Sequence, residues 1–250
     1  MAAIIPPLRI VFAFAVLGLA SSVAAEASGG AMPPIPGLHR DRDSEERYEI
    51  EIQKSHNRLF RGATMVAKFA GKMTGLDKMA RIEAKRHVAS DGTINYDVIA
   101  REGDKTVQKE LIVRFINLEM EARSHNTEDV AVNAKNYKIK YRGTMDQAGR
   151  DTDVFEVHPR KKRIGLFKGE VWIDTETGLT VHQAGEWVKS PSVFVKTVKF
   201  SQDFEILDGY QVPKNASFVT RTRFWGVAEM NVEYSDVTWD TAAAASQNQN

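Results

Sequence analysis

The sequence predicts a mostly β (α+β) fold: about ten antiparallel strands with one long amphipathic helix on their dry face. Three observations predict it. Apolar and polar residues alternate with period two through much of residues 46–240, which places every second side chain on one face of a strand. Turn signals separate these runs. One stretch, residues 105–123, switches to helical spacing.

The ends of the chain read differently. Arg9 precedes an apolar run from Ile10 to Ala20, then small residues from Ser21 to Ala25. This is the three-part pattern of a secretory signal peptide over residues 1–25, with Val23 and Ala25 at the −3 and −1 positions of the cleavage site. The run is shorter than the roughly 20 residues of a membrane span. An uncleaved anchor is the alternative; cleavage predicts an exported, periplasmic protein that does not span the membrane. Residues 26–45 carry Ser28-Gly29-Gly30, Pro33-Pro34 and Pro36-Gly37 with no apolar period, so they read as a disordered linker. Residues 241–250 are a low-complexity, disordered tail. Between them, residues 46–240 show no composition shift and read as one domain.

Within that domain, Tyr48, Ile50 and Ile52 alternate with charged neighbours and predict a first strand. The same parity holds for Ala80, Ile82 and Ala84; for Tyr137, Ile139 and Tyr141; for Phe155 and Val157; for Val171 and Ile173, flanking Trp172; and for Ala228, Met230, Val232 and Tyr234. Asp91-Gly92, the run from Asp174 to Gly178, and Asp208-Gly209 are the turns between strands. From Lys105 to Arg123, Val107, Leu111, Phe115 and Leu118 fall at helical spacing, widened by Ile112 and Ile116. Asp104 is placed to cap that helix. A weaker helix is expected around Thr74 to Met79.

Composition excludes several functions. Hydrophobic residues are 42% and charged residues 27%, as in ordinary globular proteins. Lys plus Arg is 34 against 33 Asp plus Glu, and Arg9 is the one charge in residues 1–25. The remainder is therefore neutral, which gives no global electrostatic reason to bind nucleic acid. With no cysteine, disulfides, thiol nucleophiles and Cys-ligated metals are out. None of the six histidines stands at HxH, HxxxH or HExxH spacing, and no nucleophile elbow, P-loop or dinucleotide fingerprint occurs. Asp151 to Asp153 and Asp174 to Glu176 read as turns rather than calcium loops. No metal site, cofactor or catalytic residue is predicted.

The basic run from His158 to Arg163 reads as a solvated hairpin tip, with an anionic headgroup or partner contact as the functional alternative. The apolar faces are rich in aromatics and methionine: Met65, Phe69, Phe115, Met120, Phe155, Trp172, Trp187, Phe194, Phe224, Trp225 and Met230. A curved sheet under one helix has more dry face than the helix covers. The excess is filled by side chains or left as an apolar cavity.

The hairpin from Gly169 to Leu179, Gly-x-x-Trp-Ile-Asp-x-x-Thr-Gly-Leu, resembles one in the LolA/LolB-like (outer-membrane lipoprotein-sorting protein-like) superfamily of exported bacterial proteins. The segments Glu186 to Ser192 and Phe194 to Lys196, the Gly209-Tyr210-Gln211-Val212-Pro213 stretch, Phe224 to Ala228, and Lys135 to Gly143 are similar too. The resemblance spans residues 130–238. It implies an open half-barrel sheet with helices closing its concave face over a cavity for acyl chains; other members are periplasmic sensors that bind a membrane-spanning regulator. The absence of a lipobox cysteine sets aside the membrane-anchored receptor type, and no family residue transfers position by position.

The expected function is a periplasmic, non-enzymatic carrier or binding protein for a lipid or lipoprotein acyl chain, with the helix as lid. Its partners would be a lipid or an acylated protein, together with inner- or outer-membrane proteins. Strand parity and helix spacing place Met65, Phe69, Leu111, Phe115, Tyr137, Ile139, Tyr141, Val171, Ile173, Met230 and Val232 on the cavity wall. The alternative is a protein-interaction or regulatory module of the same fold with a filled concave face. A hydrolase is a third reading, and would need titratable side chains converging there.

Overall fold

The computed structural model describes residues 44–53, 61–123, 130–147, 149–190, 195–223 and 225–240. The signal peptide, residues 26–43 of the linker, the tail, Phe194 and Phe224 lie outside the described residues.

Ten strands form one open antiparallel sheet: β1 (Ala63–Met73), β2 (Lys78–Val88), β3 (Ile94–Gly103), β4 (Tyr137–Gln147), β5 (Arg150–Pro159), β6 (Phe167–Asp174), β7 (Thr180–Trp187), β8 (Val195–Leu207), β9 (Tyr210–Thr222) and β10 (Val227–Trp239). Their order is β3-β2-β1-β10-β9-β8-β7-β6-β5-β4. Consecutive strands pair, except that β1 pairs with β10 and the chain crosses from the β3 edge to the β4 edge through a helix. The sheet is a half-barrel with its dry side concave. Parity behaves as read from the sequence: Met65, Ala67, Phe69, Gly71 and Met73 of β1 and Met230, Val232 and Tyr234 of β10 face in, and the residues alternating with them face out. At the β8–β9 turn both Asp208 and Gly209 take positive φ, the backbone that a two-residue hairpin matching strand twist requires.

The segment with Tyr48, Ile50 and Ile52 is not a strand. It is helix α1 (Ser44–Gln53), and it starts at Ser44, inside the segment read as linker. Tyr48 and Ile52 are four apart, so a helix puts both on one face as readily as a strand does. Tyr48 and Ile52 pack on the core while Ile50 is exposed. The acidic residues Glu45 and Glu46 favour the helix N-terminus. Around Thr74 only a 3₁₀ turn forms (Thr74–Leu76), ended by Asp77 in the left-handed region. The Gly75 amide donates to the Trp225 carbonyl, and β2 begins at Lys78. Asp151 to Asp153, read as a turn, opens β5. Trp172 faces the opposite side from Val171 and Ile173; its ring lies 4.6 Å from His182 and its indole N–H donates to Glu170 at 3.1 Å.

The predicted long helix, α2, runs through residues 105–123 in three joined parts: a first turn (Lys105–Val107), a π-helical stretch (Gln108–Val113) and an α-helical end (Arg114–Arg123). Asp104 caps it, accepting from the Thr106 and Val107 amides at 2.8 and 3.1 Å. The π turns shift the stripe. Val107 and Ile112, five apart, both become fully buried, whereas Leu111 is only partly so. No helix among the described residues is long and apolar enough to cross a membrane.

Candidate functional site in the concave face

The concave face belongs to two helices. α2 lies over β1, β2 and β10, and α1 lies over β4 and β5. Each also touches an edge strand, where unpaired backbone groups invite pairing with other chains. Gln108 of α2 donates to the Glu102 and Gly103 carbonyls of β3 at 3.1 Å. Glu45 of α1 accepts from the Ile139 amide of β4 at 3.4 Å and from Arg160 at 2.8 Å. Arg160 of the basic run therefore holds α1, and it also donates to the Ala134 carbonyl at 2.8 Å.

The predicted lining residues fall into two sectors of one apolar cluster. Met65, Phe69, Met230 and Val232 from the sheet meet Leu111 and Phe115 from α2. The Phe115 ring lies 6.2 Å from Phe69 and 4.8 Å from Phe218. Tyr137, Ile139, Tyr141, Val171 and Ile173 form the second sector beneath α1, where Tyr48 meets Phe155 edge-on at 5.1 Å. All but Leu111 are buried, and Leu111 packs against the cluster. Two clefts formed by described residues lie elsewhere. One of about 360 Å³ includes Ala70, Lys72, Arg81 and Glu229; another of about 500 Å³ includes Arg150, Asp151, Asp174 and Glu176. Neither is lined by a predicted residue.

Parity alone does not announce what else occupies the dry face. Arg86 of β2 points inward and is 2% exposed. Its Nη2 donates to Glu119 Oε1 of α2 at 2.8 Å, and its Nε donates to the Tyr96 hydroxyl at 3.1 Å. The Tyr96 hydroxyl in turn donates to Glu119 Oε2. Tyr234 of β10 closes the group, its ring 5.8 Å from the guanidinium carbon. Burial works against the Arg86 charge, but Glu119 outweighs it and holds the guanidinium protonated. Burial, then the Glu119 charge, push the Tyr96 and Tyr234 hydroxyls well above the usual tyrosine range. A second polar group lies at the other end. Asp153 is fully buried and accepts from Arg47, Thr144 and Tyr141, and Arg47 stacks 4.2 Å from the Tyr141 ring centre. The signal for Arg86 was present. The parity of Ala80, Ile82 and Ala84 continues to Arg86, and the stripe of Ile112, Phe115 and Ile116 continues to Glu119.

Fold and site together define an open antiparallel half-barrel whose concave face is largely apolar, roofed by helices and fastened by one buried and one half-buried ion pair. Solved structures similar to this chain include three at low identity. A DUF1329 family protein from Desulfovibrio piger is 12% identical with TM-score 0.44, over 80% of this chain and 95% of that one. An outer membrane lipoprotein-sorting protein domain from Vibrio parahaemolyticus is 14% identical with TM-score 0.38, over 79% and 94%. The LolA superfamily protein NE2245 from Nitrosomonas europaea is 10% identical with TM-score 0.35, over 77% and 93%. The superfamily that the Gly169 to Leu179 hairpin resembles is thus among them. No protein-family model matches the sequence, and no curated protein does.

Proposed function

We propose that the protein is a periplasmic carrier or binding protein that shelters the acyl chain of a lipid or lipoprotein under α2 and catalyses no reaction. One observation carries this reading: around the Arg86–Glu119 pair, the residues beneath α2 belong to one apolar cluster of aromatic, methionine and branched side chains contributed by both sheet and helix. Methionine and aromatic walls adapt to a flexible chain. Burying that chain is worth ~0.8 kcal/mol per CH₂, which offsets apolar contacts that α2 gives up. Export by a cleaved signal peptide over residues 1–25 would bring residues 46–240 to the periplasm as the working domain.

The depth of burial supports a second reading. Met65, Tyr137, Ile173 and Val232 are out of reach of solvent, as a filled module that binds a protein partner would require. Native mass spectrometry of the exported chain, purified without detergent, separates the two. Extra mass released by organic extraction as a lipid supports the carrier. A bare mass equal to residues 26–250 removes that support and favours the interaction module.

A further inference from the structure

We infer that Arg86, Tyr96 and Tyr234 form a carboxylate-binding site in the concave face, that Glu119 fills it while α2 is closed, and that a ligand with a long apolar chain and a free carboxylate takes the place of Glu119. The inference rests on the carrier reading and names the ligand's head.

The donors and the acceptor sit on different parts of the fold. Arg86, Tyr96 and Tyr234 belong to β2, β3 and β10, fixed in the sheet. The carboxylate alone belongs to α2. Both of its oxygens are held, one by the guanidinium and one by the Tyr96 phenol, the arrangement that recognises a carboxylate as such. The Arg86 Nη1 has Met65 Sδ at 4.0 Å, a weak contact. The Tyr234 hydroxyl is buried beside Tyr96 without a hydrogen bond of normal geometry. The sheet therefore holds one more donor than Glu119 uses, and a buried donor left unpaired is unusual in a site that serves packing alone.

The physics favours exchange over permanence. A buried ion pair adds little stability relative to apolar residues of the same volume, but losing one partner is costly because the other charge stays buried. If α2 lifts to admit a neutral chain, Glu119 returns to water and Arg86 is stranded. If the incoming chain carries its own carboxylate, Arg86 exchanges one partner for another. The apolar route from the head is in place: the Tyr96 ring lies 5.8 Å from Phe69, and Phe69 leads to Phe115 and Phe218.

The test compares oleate with oleyl alcohol, which share chain length and differ in the head, binding to the delipidated full chain. The expected result is oleate preferred by about tenfold or more, the worth of charge-assisted hydrogen bonds. Glu119→Gln, which removes the competing charge, should widen that ratio. The paired variant Arg86→Met with Glu119→Leu, apolar at both positions so that it folds, should bring it to one. Tyr234→Phe separates a ligand site from a structural one. It deletes a hydroxyl that makes no hydrogen bond of normal geometry in the closed protein, so unfolding by urea should change little while the preference for oleate falls several-fold. Equal binding of acid and alcohol by the unaltered protein overturns the inference and leaves the carrier reading standing. Binding of neither overturns both.

Discussion

Arg47 of α1 and Asp153 of β5, 106 positions apart, meet at one carboxylate oxygen: Arg47 Nε lies 2.8 Å and Nη2 2.7 Å from Asp153 Oδ2. The pairing under α2 is the same with the charges exchanged. There the helix supplies the acid, Glu119, and the sheet supplies the base, Arg86. Each helix is keyed to its own end of the concave face. Exchanging them would set Arg47 against Arg86 and Glu119 against Asp153, a repulsion that fixes which helix goes where.

Asp153→Ala should lower stability by about 2–3 kcal/mol in urea unfolding. The loss is smaller than for a fully buried pair because Arg47 reaches water. Asp153→Asn leaves one oxygen to accept from Arg47, while its amide NH2 can only donate toward the Thr144 and Tyr141 hydroxyls, and it should cost about half as much. A change below about 0.5 kcal/mol, within the range of ordinary surface substitutions, would mean that α1 is held by the packing of Tyr48 alone.

Arg86→Ala should cost about 3–5 kcal/mol, since it leaves the Glu119 carboxylate buried without its cation. The double variant Arg86→Met with Glu119→Leu should return to within about 1 kcal/mol of the parent protein or exceed it. Denaturant titrations of the single and double variants measure the coupling. Costs that simply add would show that the two groups act independently.

Gly71 lies on the inward face of β1 directly under α2. A Cβ there would come 3.1 Å from Leu111 Cδ2, 3.2 Å from Ile112 Cγ1 and 3.3 Å from Val107 Cγ1. Gly71→Ala should therefore press on both sides of the π-helical stretch and destabilise the protein by about 1–2 kcal/mol. Amide hydrogen exchange should quicken in residues 105–123 and stay unchanged in β5 and β6. Uniform quickening in all three would mean that α2 does not move separately from the sheet.

Much of this architecture was legible in the sequence because alternation and helical spacing are local signals. The strands around Ile82, Ile139, Ile173 and Val232, the long helix with its Asp104 cap, and the Asp208-Gly209 turn are all set by residues within a few positions of one another. α1 was misread because Tyr48 and Ile52 satisfy period two and the i, i+4 rule equally. The contacts that decide between them, Phe155 and Asp153, lie about a hundred positions away. Arg86 and Glu119 were passed over for a related reason. Each continues an apolar stripe as a lone charge, and only the fold brings the two together.

Acid should weaken the β6–β7 hairpin through Asp174. Burial raises its carboxyl, but hydrogen bonds from the Thr177 hydroxyl and amide, with Arg150, outweigh this and hold it below the ordinary carboxylate range. A depressed folded value contributes stability that is fully present above the unfolded value of about 3.9 and is lost as pH falls through the folded one. Thermal unfolding from about pH 6 to about pH 3 should thus show a shallower acid decline in Asp174→Asn than in the parent. Identical slopes would place the acid sensitivity elsewhere.

The β1–β10 seam governs the order in which the chain can fold. Thr238 donates its hydroxyl to the Thr64 carbonyl across 174 positions, so the first strand made waits for the last. Until β10 is available, β1 has β2 on one side and an open edge on the other, which is the state in which strands pair with the wrong chain. From β4 to β10, each strand can zip onto the one before it, at the low loop-closure cost of hairpins. The β1–β3 ribbon would then join as a finished unit, and its docking against β10 would be the slow event of folding.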